Sequence, residues 1–221
     1  MSIREQENIL FAKWAQKYEG LFVSDGAPCS EQFEKEKIKI TFVLKEAVSP
    51  GESWDMRSWV DKHGGRSQAW DNITRWTQAI LKGGDYLRTV SREDRVCWLR
   101  RISFLNLKKV GGGNTTINSE LVDYAKNDAH FIWEQLCIYN PDVIVACGSY
   151  VEWLLWEHIL LPRQKTDEYV GGKLFGRSYK TQFSGKDSNT NVICFRHPSR
   201  TFGKDKELYD QMVEIVHGFC L

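Results

Sequence analysis

Four short apolar segments, separated by longer amphipathic ones, constrain the fold of this 221-residue chain more than any other feature. They cover residues 38–44, 102–107, 142–148 and 191–195. Short runs rich in β-branched and aromatic residues are typical of strands that are buried on both faces, as in parallel sheets. Because segments of helical period lie between them, we expect an α/β fold. It would have three α/β/α layers around a central, four-stranded, mainly parallel sheet.

The segments between these strands predict helices and loops. Apolar residues recur at helical spacing in residues 2–19, 70–82, 91–100, 118–139, 149–159 and 204–219. We expect a long loop over residues 53–65 and an edge hairpin or a loop over residues 162–190. No repeat or change of composition divides the chain, so residues 1–221 are expected to form one domain. Residues 1–36 would be its N-terminal helix and connector.

Basic residues are concentrated in two segments of a nearly neutral chain, whose net charge is +1. Residues 95–119 contain five basic residues and no acidic one, and residues 196–206 contain four basic residues and a single Asp. A local basic patch of this kind suits phosphates, although runs of charge are also common on solvated faces. The charge pattern therefore leaves both a nucleic-acid-binding surface and an ordinary solvated face open.

The six cysteines show neither a Cys-x-x-Cys pair nor the spacing of a zinc site. Cys147 and Cys194 lie in or beside apolar segments and are expected to be small core residues. We therefore expect no disulfide, no metal cluster and no cofactor. The chain has no apolar run typical of a signal peptide or a membrane span, so the sequence predicts a cytoplasmic protein without a membrane partner.

Polar side chains follow each of the predicted strands. The strand ends carry, in chain order, Glu46, Asn106, Ser149 and His197. Pro198 forces the chain out of the sheet directly after the histidine. Parallel strands bring their carboxyl ends to one edge of a sheet, where α/β proteins bind ligands. A carboxylate, an amide and an imidazole can there orient water, read a base edge and donate a hydrogen bond to a developing anion. Together they predict a nucleobase site.

Three of these strand ends allow more than one interpretation. Glu46 precedes a Pro-Gly loop, so it is either a solvated loop carboxylate or a carboxylate held in the crevice at the sheet edge. Residues 108–114 contain two lysines and three glycines and could bind phosphate through backbone N–H groups, although the order of a Walker loop is absent. The Gly148-Ser149 turn begins a helix, which is common architecture and could also bind an anion.

Recognisable motifs stand at these strand ends. They are Val-Leu-Lys-Glu-Ala-Val-Ser-Pro-Gly at 43–51, Phe-Leu-Asn-Leu-Lys-Lys at 104–109, Asn-Pro-Asp-Val-Ile-Val-Ala-Cys-Gly at 140–148 and Arg-His-Pro-Ser-Arg at 196–200. In order and spacing they resemble the motifs of the uracil-DNA glycosylase superfamily, and the resemblance covers about residues 38–215. The segment that resembles the His-Pro-Ser motif of the family is the most specific of these.

This resemblance implies a uracil-DNA-glycosylase-like fold and a monofunctional DNA glycosylase. Such an enzyme flips a uracil or another altered base out of single- or double-stranded DNA and hydrolyses its N-glycosidic bond. The resemblance implies that Glu46 activates or positions water, and that His197 stabilises the leaving base anion. Asn106 would hydrogen-bond the base, with Ala47 and Trp70 beside it. The residues implied at the DNA backbone or its phosphates are Lys108, Lys109, Ser149, Arg196, Ser199 and Arg200.

The chain departs from the family pattern at several points. Lys45 replaces the first Gly of the Gly-Glu-Ala-Pro-Gly motif, and the cysteines of an iron–sulfur cluster are absent. Gln68 stands at the place of the family's base-stacking aromatic, with Trp70 two positions further on. These departures leave a second function open, in which the same fold binds nucleic acid, a nucleotide or a protein without excising a base. A third alternative is an unrelated α/β nucleotide hydrolase.

Overall fold

A five-stranded sheet forms the centre of the protein. The computed structural model describes residues 1–48, 51–113, 116–163, 177–181 and 189–219. The strands of the central sheet are β2 (Ile40–Val48), β4 (Ser103–Gly112), β5 (Val143–Cys147), β6 (Arg177–Thr181) and β7 (Thr190–Phe195). Their order in space is β4-β2-β5-β7-β6, and every neighbouring pair is parallel except β6 with β7.

This topology confirms the predicted α/β class and the mainly parallel sheet. The antiparallel strand β6 adds an edge that lies inside the segment predicted as an edge hairpin or a loop. The other parts of that segment, residues 164–176 and 182–188, lie outside the described residues. Two further strands, β1 (Val23–Ser24) and β3 (Trp54–Asp55), form a small parallel pair of their own.

Helices cover both faces of the sheet. They are α1 (Ile3–Ala15), α2 (Ser30–Lys35), α3 (Met56–His63), α4 (Gln68–Leu81), α5 (Arg92–Leu99), α6 (Asn118–Asn127), α7 (Ala129–Tyr139), α8 (Ser149–Leu154) and α9 (Asp205–His217). Helix α8 continues into a π-helical turn, Leu155–Leu160, and a 3-10 turn, Leu161–Arg163.

Strand β5 shows how the sheet separates two cores. Ile144 and Ala146 pack with apolar side chains of α1, α6, α7 and α8 on one face. Val143, Val145 and Cys147 point to the opposite face, where they pack with α3, α4, α5 and α9. Successive residues of a strand point to opposite faces, so a run that is apolar throughout requires helices on both sides. The three-layer α/β/α arrangement follows from this.

One long helix over residues 118–139 was predicted, and this prediction is wrong. The chain forms α6 and α7, which are separated at Asp128, where the backbone has φ −108° and ψ 6°. The Asp128 carboxylate is buried and accepts hydrogen bonds from Lys17 and Tyr18 of the N-terminal segment. A buried carboxylate needs such partners, and they hold Asp128 at the break between the two helices.

The prediction of a loop over residues 53–65 is also wrong, because α3 forms within it. Asp55 caps this helix by accepting a hydrogen bond from the Ser58 backbone N–H at 3.2 Å. Met56 and Val60, four residues apart, are both buried against the core. The helix ends at Gly64, whose φ of +69° suits glycine at a helix C-terminus.

Strands β2 and β4 extend together beyond their predicted ends. Glu46 pairs with Lys108 across the two strands, and Val48 pairs with Gly112 after a shift in register. Glu46 therefore lies inside a strand and not in a loop. The segment predicted as a glycine-rich loop is a strand as far as Gly112, so its peptide groups take part in the sheet. Asn114 lies outside the described residues.

The N-terminal connector covers the outer edge of β4. Phe104 donates its backbone N–H to the Gly26 carbonyl at 3.1 Å, and the Asn106 N–H donates to the Asp25 carboxylate at 2.6 Å. Phe22 forms an isolated antiparallel bridge with Val110. Edge strands with free peptide groups invite pairing with other chains, so this cover removes an exposed edge.

The cysteines in the described part of the chain are free thiols. Cys147 and Cys194 are buried in the sheet, which confirms their predicted place in the core. Burial raises the pKa of the Cys147 thiol. Over the same residues, no group of three or more His, Cys, Asp and Glu side chains is placed to hold a metal ion. None of the described helices is both long and apolar enough to cross a bilayer.

Candidate functional site

Three basic side chains lie near one another, one on β2 and two on the turn after β7. Lys45 from β2, with His197 and Arg200 from the turn after β7, lie close enough to influence one another's charge. We call these three residues the basic cluster. The Nζ atom of Lys45 also lies 5.8 Å from the ring centroid of Tyr150 on α8. The carboxyl ends of two parallel strands and the start of a helix thus place side chains from distant parts of the sequence together.

The imidazole of His197 is held in one tautomer. Its Nδ1 accepts a hydrogen bond from the Ser199 backbone N–H at 3.3 Å and lies 2.8 Å from the Ser199 hydroxyl. A backbone N–H can only donate, so Nδ1 is the acceptor and the ring proton is on Nε2. Burial, together with the nearby charges of Lys45 and Arg200, lowers the pKa of His197 to about 4. At neutral pH the ring is therefore an uncharged N–H donor.

Helix α4 fixes the turn that carries this histidine. Asn72 donates its side-chain amide to the Pro198 carbonyl at 2.8 Å, and Arg75 donates to the Asn72 amide oxygen at 2.9 Å. Gln68 donates to the Thr201 hydroxyl at 2.9 Å. Because these bonds join the turn to a helix packed on the sheet, the position of the imidazole is set by the scaffold.

A surface cleft of about 450 Å³ lies beside the turn. It is lined by Gln68, Ser199, Arg200, Phe202 and Gly203. The Phe202 side chain is 79% exposed, and its φ of +53° is a left-handed conformation that a bulky residue rarely adopts. Sequence reasoning missed Phe202. The signal available was an aromatic residue directly before a glycine in a basic segment.

The Glu46 carboxylate is enclosed and paired. Its Oε2 lies 2.9 Å from the Nζ of Lys108, which also donates to Glu120 at 3.0 Å. A Cβ added at Gly112 would overlap the carboxylate, so this position needs glycine. With 5% of its side chain exposed, Glu46 is a carboxylate held in a crevice and not a solvated loop residue. Lys108 is committed to two acids, which does not fit the predicted contact with phosphate.

Asn106 is buried, and its amide is already engaged. Its Nδ2 donates to the Asp25 carboxylate at 3.0 Å and lies 3.9 Å from the Met56 sulfur. Only 2% of the residue is exposed. The prediction that this amide reads a base edge through a donor and an acceptor together does not hold for this arrangement, because the donor is committed to Asp25.

Lys109 lies in the core and not at a phosphate site, which corrects the prediction for this residue. Its Nζ contacts both oxygens of Asp25 at 2.6 Å and lies 4.8 Å from the Trp14 ring centroid. Both charged side chains are fully buried. Gln135 donates a further hydrogen bond to Asp25 at 2.8 Å. A buried cation needs an anion beside it, and sequence inspection offered no sign that Asp25 was that partner.

Trp70 belongs to an aromatic cluster on the α3–α4 face. Its ring meets the edge of Phe104 at 5.2 Å between centroids and lies 6.3 Å from Trp59. Gly65 lies so close that any side chain there would overlap the indole. Trp70 is thus half-buried and packed, and Ala47 is half-buried beside the same core.

The remaining predicted residues lie just after β5 or after β7. Ser149 and Arg196 are half-buried at the end of β5 and of β7, and Ser199 and Arg200 are exposed. Of the predicted catalytic and DNA-contacting residues, the structure brings together His197, Ser199 and Arg200. Asn106 and Lys109 belong to a separate buried network around Asp25.

The basic cluster and the adjoining cleft therefore define the candidate site. It combines an uncharged N–H donor, two cations, a serine hydroxyl and an exposed aromatic ring, and Glu46 follows Lys45 directly on the same strand. No protein-family model matches the chain, and no curated protein sequence is significantly similar to it.

Proposed function

We propose that the protein is a DNA glycosylase-like enzyme that takes an altered base such as uracil out of the DNA stack and hydrolyses its N-glycosidic bond. The observation that carries the proposal is the uncharged imidazole of His197. Its Nδ1 is bound to Ser199, which leaves the Nε2–H pointing away from that hydrogen bond. A base that leaves its sugar as an anion needs a hydrogen-bond donor at the oxygen that gains charge. A preorganised neutral imidazole supplies one.

The surroundings of His197 support the same chemistry. Lys45 and Arg200 place positive charge near the departing base, which favours an anionic leaving group. Glu46 follows Lys45 on β2, and its enclosed carboxylate could orient water or stabilise a cationic sugar. Arg200 and Ser199 line the cleft, where they can contact the DNA backbone.

Base release from defined oligonucleotides tests this proposal. Single- and double-stranded DNA carrying uracil, hypoxanthine, xanthine or an alkylated base would be incubated with the protein and then treated with alkali. We expect cleavage at the altered base, because an abasic sugar breaks in alkali. Absence of cleavage with every base in the panel would contradict the enzymatic proposal.

A second candidate function, nucleic-acid binding without excision, is favoured by the contacts of Glu46 and Asn106. The carboxylate is neutralised by Lys108, and the amide donor is committed to Asp25. In this case the protein would bind DNA in a salt-dependent manner and leave no abasic product. The same oligonucleotide panel distinguishes the two functions, since binding is measured before alkali and excision after it.

Phe202 is expected to contribute to DNA binding under either function. An exposed aromatic ring beside a cation can stack on a base or fill the gap that an extruded base leaves, and such stacking is worth about 1–3 kcal/mol. A Phe202→Ala variant should therefore bind DNA roughly 5- to 150-fold more weakly in a fluorescence anisotropy titration. Ile9→Ala, which removes an exposed apolar residue of α1, is the matched control. Equal affinities of the two variants would remove Phe202 from the interface.

The environment of His197 predicts its titration. In an NMR titration the imidazole should protonate near pH 4 and not near 6.5. Lys45→Met should raise this pKa, because one neighbouring positive charge is lost. As the pH falls below about 6.5, His197 is protonated in the unfolded chain but not yet in the folded one. The free energy of unfolding should therefore decrease between about pH 6.5 and 4. A midpoint near 6.5, assigned through the loss of the signal in His197→Gln, would contradict the described environment.

A further inference from the structure

Lys45 differs in its contacts from the two lysines of β4. Lys108 and Lys109 are paired with Glu46 and Asp25, whereas none of the ion pairs among the described residues involves Lys45. Its side chain is half-buried, and the Tyr150 ring covers one side of the amine. The charged groups that act on it are Arg200, which is also basic, and more weakly Glu46.

This environment lowers the pKa of the Lys45 ammonium, so a larger share of this cation is deprotonated than for an ordinary lysine. Burial lowers the pKa of Lys45, the charge of Arg200 lowers it further, and Glu46 acts more weakly in the opposite direction. A lysine that is desolvated or placed next to another cation becomes a nucleophile towards carbonyl groups. Lys204 differs in both respects, because it is exposed to water and paired with Glu207 at 3.1 Å.

The position of Lys45 relates this nucleophile to the product of the proposed reaction. Lys45 precedes Glu46 on β2 and lies close enough to His197 for its charge to act on the imidazole, beside which the base would leave the sugar. Hydrolysis of the glycosidic bond leaves an abasic deoxyribose, which opens to an aldehyde at C1′. The carbon that becomes electrophilic is therefore the one that lay next to the leaving base.

We propose that Lys45 forms an imine with the C1′ aldehyde of an abasic site in DNA. The geometry that supports this is a half-buried amine on β2, beside the Tyr150 ring and without an ion-pair partner among the described residues. The amine nitrogen attacks C1′, both of its hydrogens leave with the aldehyde oxygen as water, and a carbon–nitrogen double bond forms. This step needs no oxidant or reductant. It deepens the proposed function, since it concerns the same site, and it would add abasic-site recognition to base excision.

Borohydride trapping on preformed abasic DNA tests this inference independently of base excision. The full-length protein is mixed with an oligonucleotide that already carries the aldehyde, and sodium borohydride reduces any imine to a stable amine. We expect a covalent protein–DNA adduct, with the attachment located at Lys45 by peptide mass spectrometry. If the protein forms the adduct but releases no base, only the excision proposal is refuted. If it releases bases but forms no adduct, only the imine is refuted.

Matched variants make the result specific. Lys45→Arg keeps the positive charge but replaces the amine by a guanidinium, so trapping should fall about tenfold or more at DNA concentrations that saturate binding of each protein. Lys204→Arg, at an exposed lysine outside the basic cluster, should trap as the unaltered protein does. No adduct with the unaltered protein, an adduct that maps to another lysine, or undiminished trapping by Lys45→Arg would each overturn the proposal.

Discussion

A His197→Ala variant is expected to release altered bases about 10²–10³-fold more slowly than the unaltered protein, which is the usual effect of removing one donor at a developing oxyanion. The reason is the tautomer set by Ser199. With Nδ1 occupied, the Nε2–H is the donor that the ring offers to a ligand. Single-turnover kinetics on the best substrate of the panel would measure the effect on the chemical step itself.

Two comparisons separate this role from a structural one. His197→Gln retains an N–H donor on a flexible side chain and should recover part of the lost rate. His217→Ala alters an exposed histidine at the end of α9 and should leave the rate unchanged. Thermal unfolding followed by circular dichroism shows whether each variant is folded. A folded His197→Ala protein with an unreduced rate would remove the imidazole from the mechanism.

Breaking the buried ion pair between Asp25 and Lys109 is expected to have the largest effect on stability. Lys109→Met leaves the Asp25 carboxylate in the core without its cation, which typically costs about 3–5 kcal/mol. For a domain of 221 residues this corresponds to a melting temperature lower by roughly 6–20 °C. Urea unfolding would give the free energy, and a calorimetric scan the temperature.

The exposed pair of Lys206 with Asp210, 2.7 Å apart on α9, is a suitable control. Removing it by Lys206→Met should change the stability by about 0–1 kcal/mol, because water already screens both charges. The double variant Asp25→Asn with Lys109→Met leaves no buried charge at this position and should regain part of the loss. If Lys109→Met cost no more than Lys206→Met, the pair would not be buried as described.

The sequence predicted the elements whose cause is local. The four apolar strands follow from runs of β-branched residues, and α5 from its capping box, in which Ser91 and Asp94 bond each other's backbone N–H groups. The break at Asp128 has its cause in Lys17 and Tyr18, more than a hundred residues away. No window of sequence around the helix contains that cause.

The two adjacent lysines of β4 show where prediction of the candidate site failed. Both were expected at phosphates, yet they point in different directions, Lys108 to Glu46 and Lys109 to Asp25. Extending the alternation of Leu105 and Leu107 by two residues would have placed Lys109 on the buried face. The predicted strand ends at residue 107, because the glycines that follow generally signal a turn, whereas β4 continues to Gly112. Here Gly112 is required by the bulk of the Glu46 carboxylate.

The connector along β4 makes the first residues of the chain an integral part of the domain. Leu10, Phe11 and Trp14 of α1 share a core with the sheet, and Asp25 closes the outer strand. A chain shortened to begin after this connector would present β4 as a free template for intermolecular pairing. We expect such a protein to self-associate into insoluble assemblies. Changes made in front of α1, such as tags and fusions, should therefore leave both this helix and the connector behind it intact.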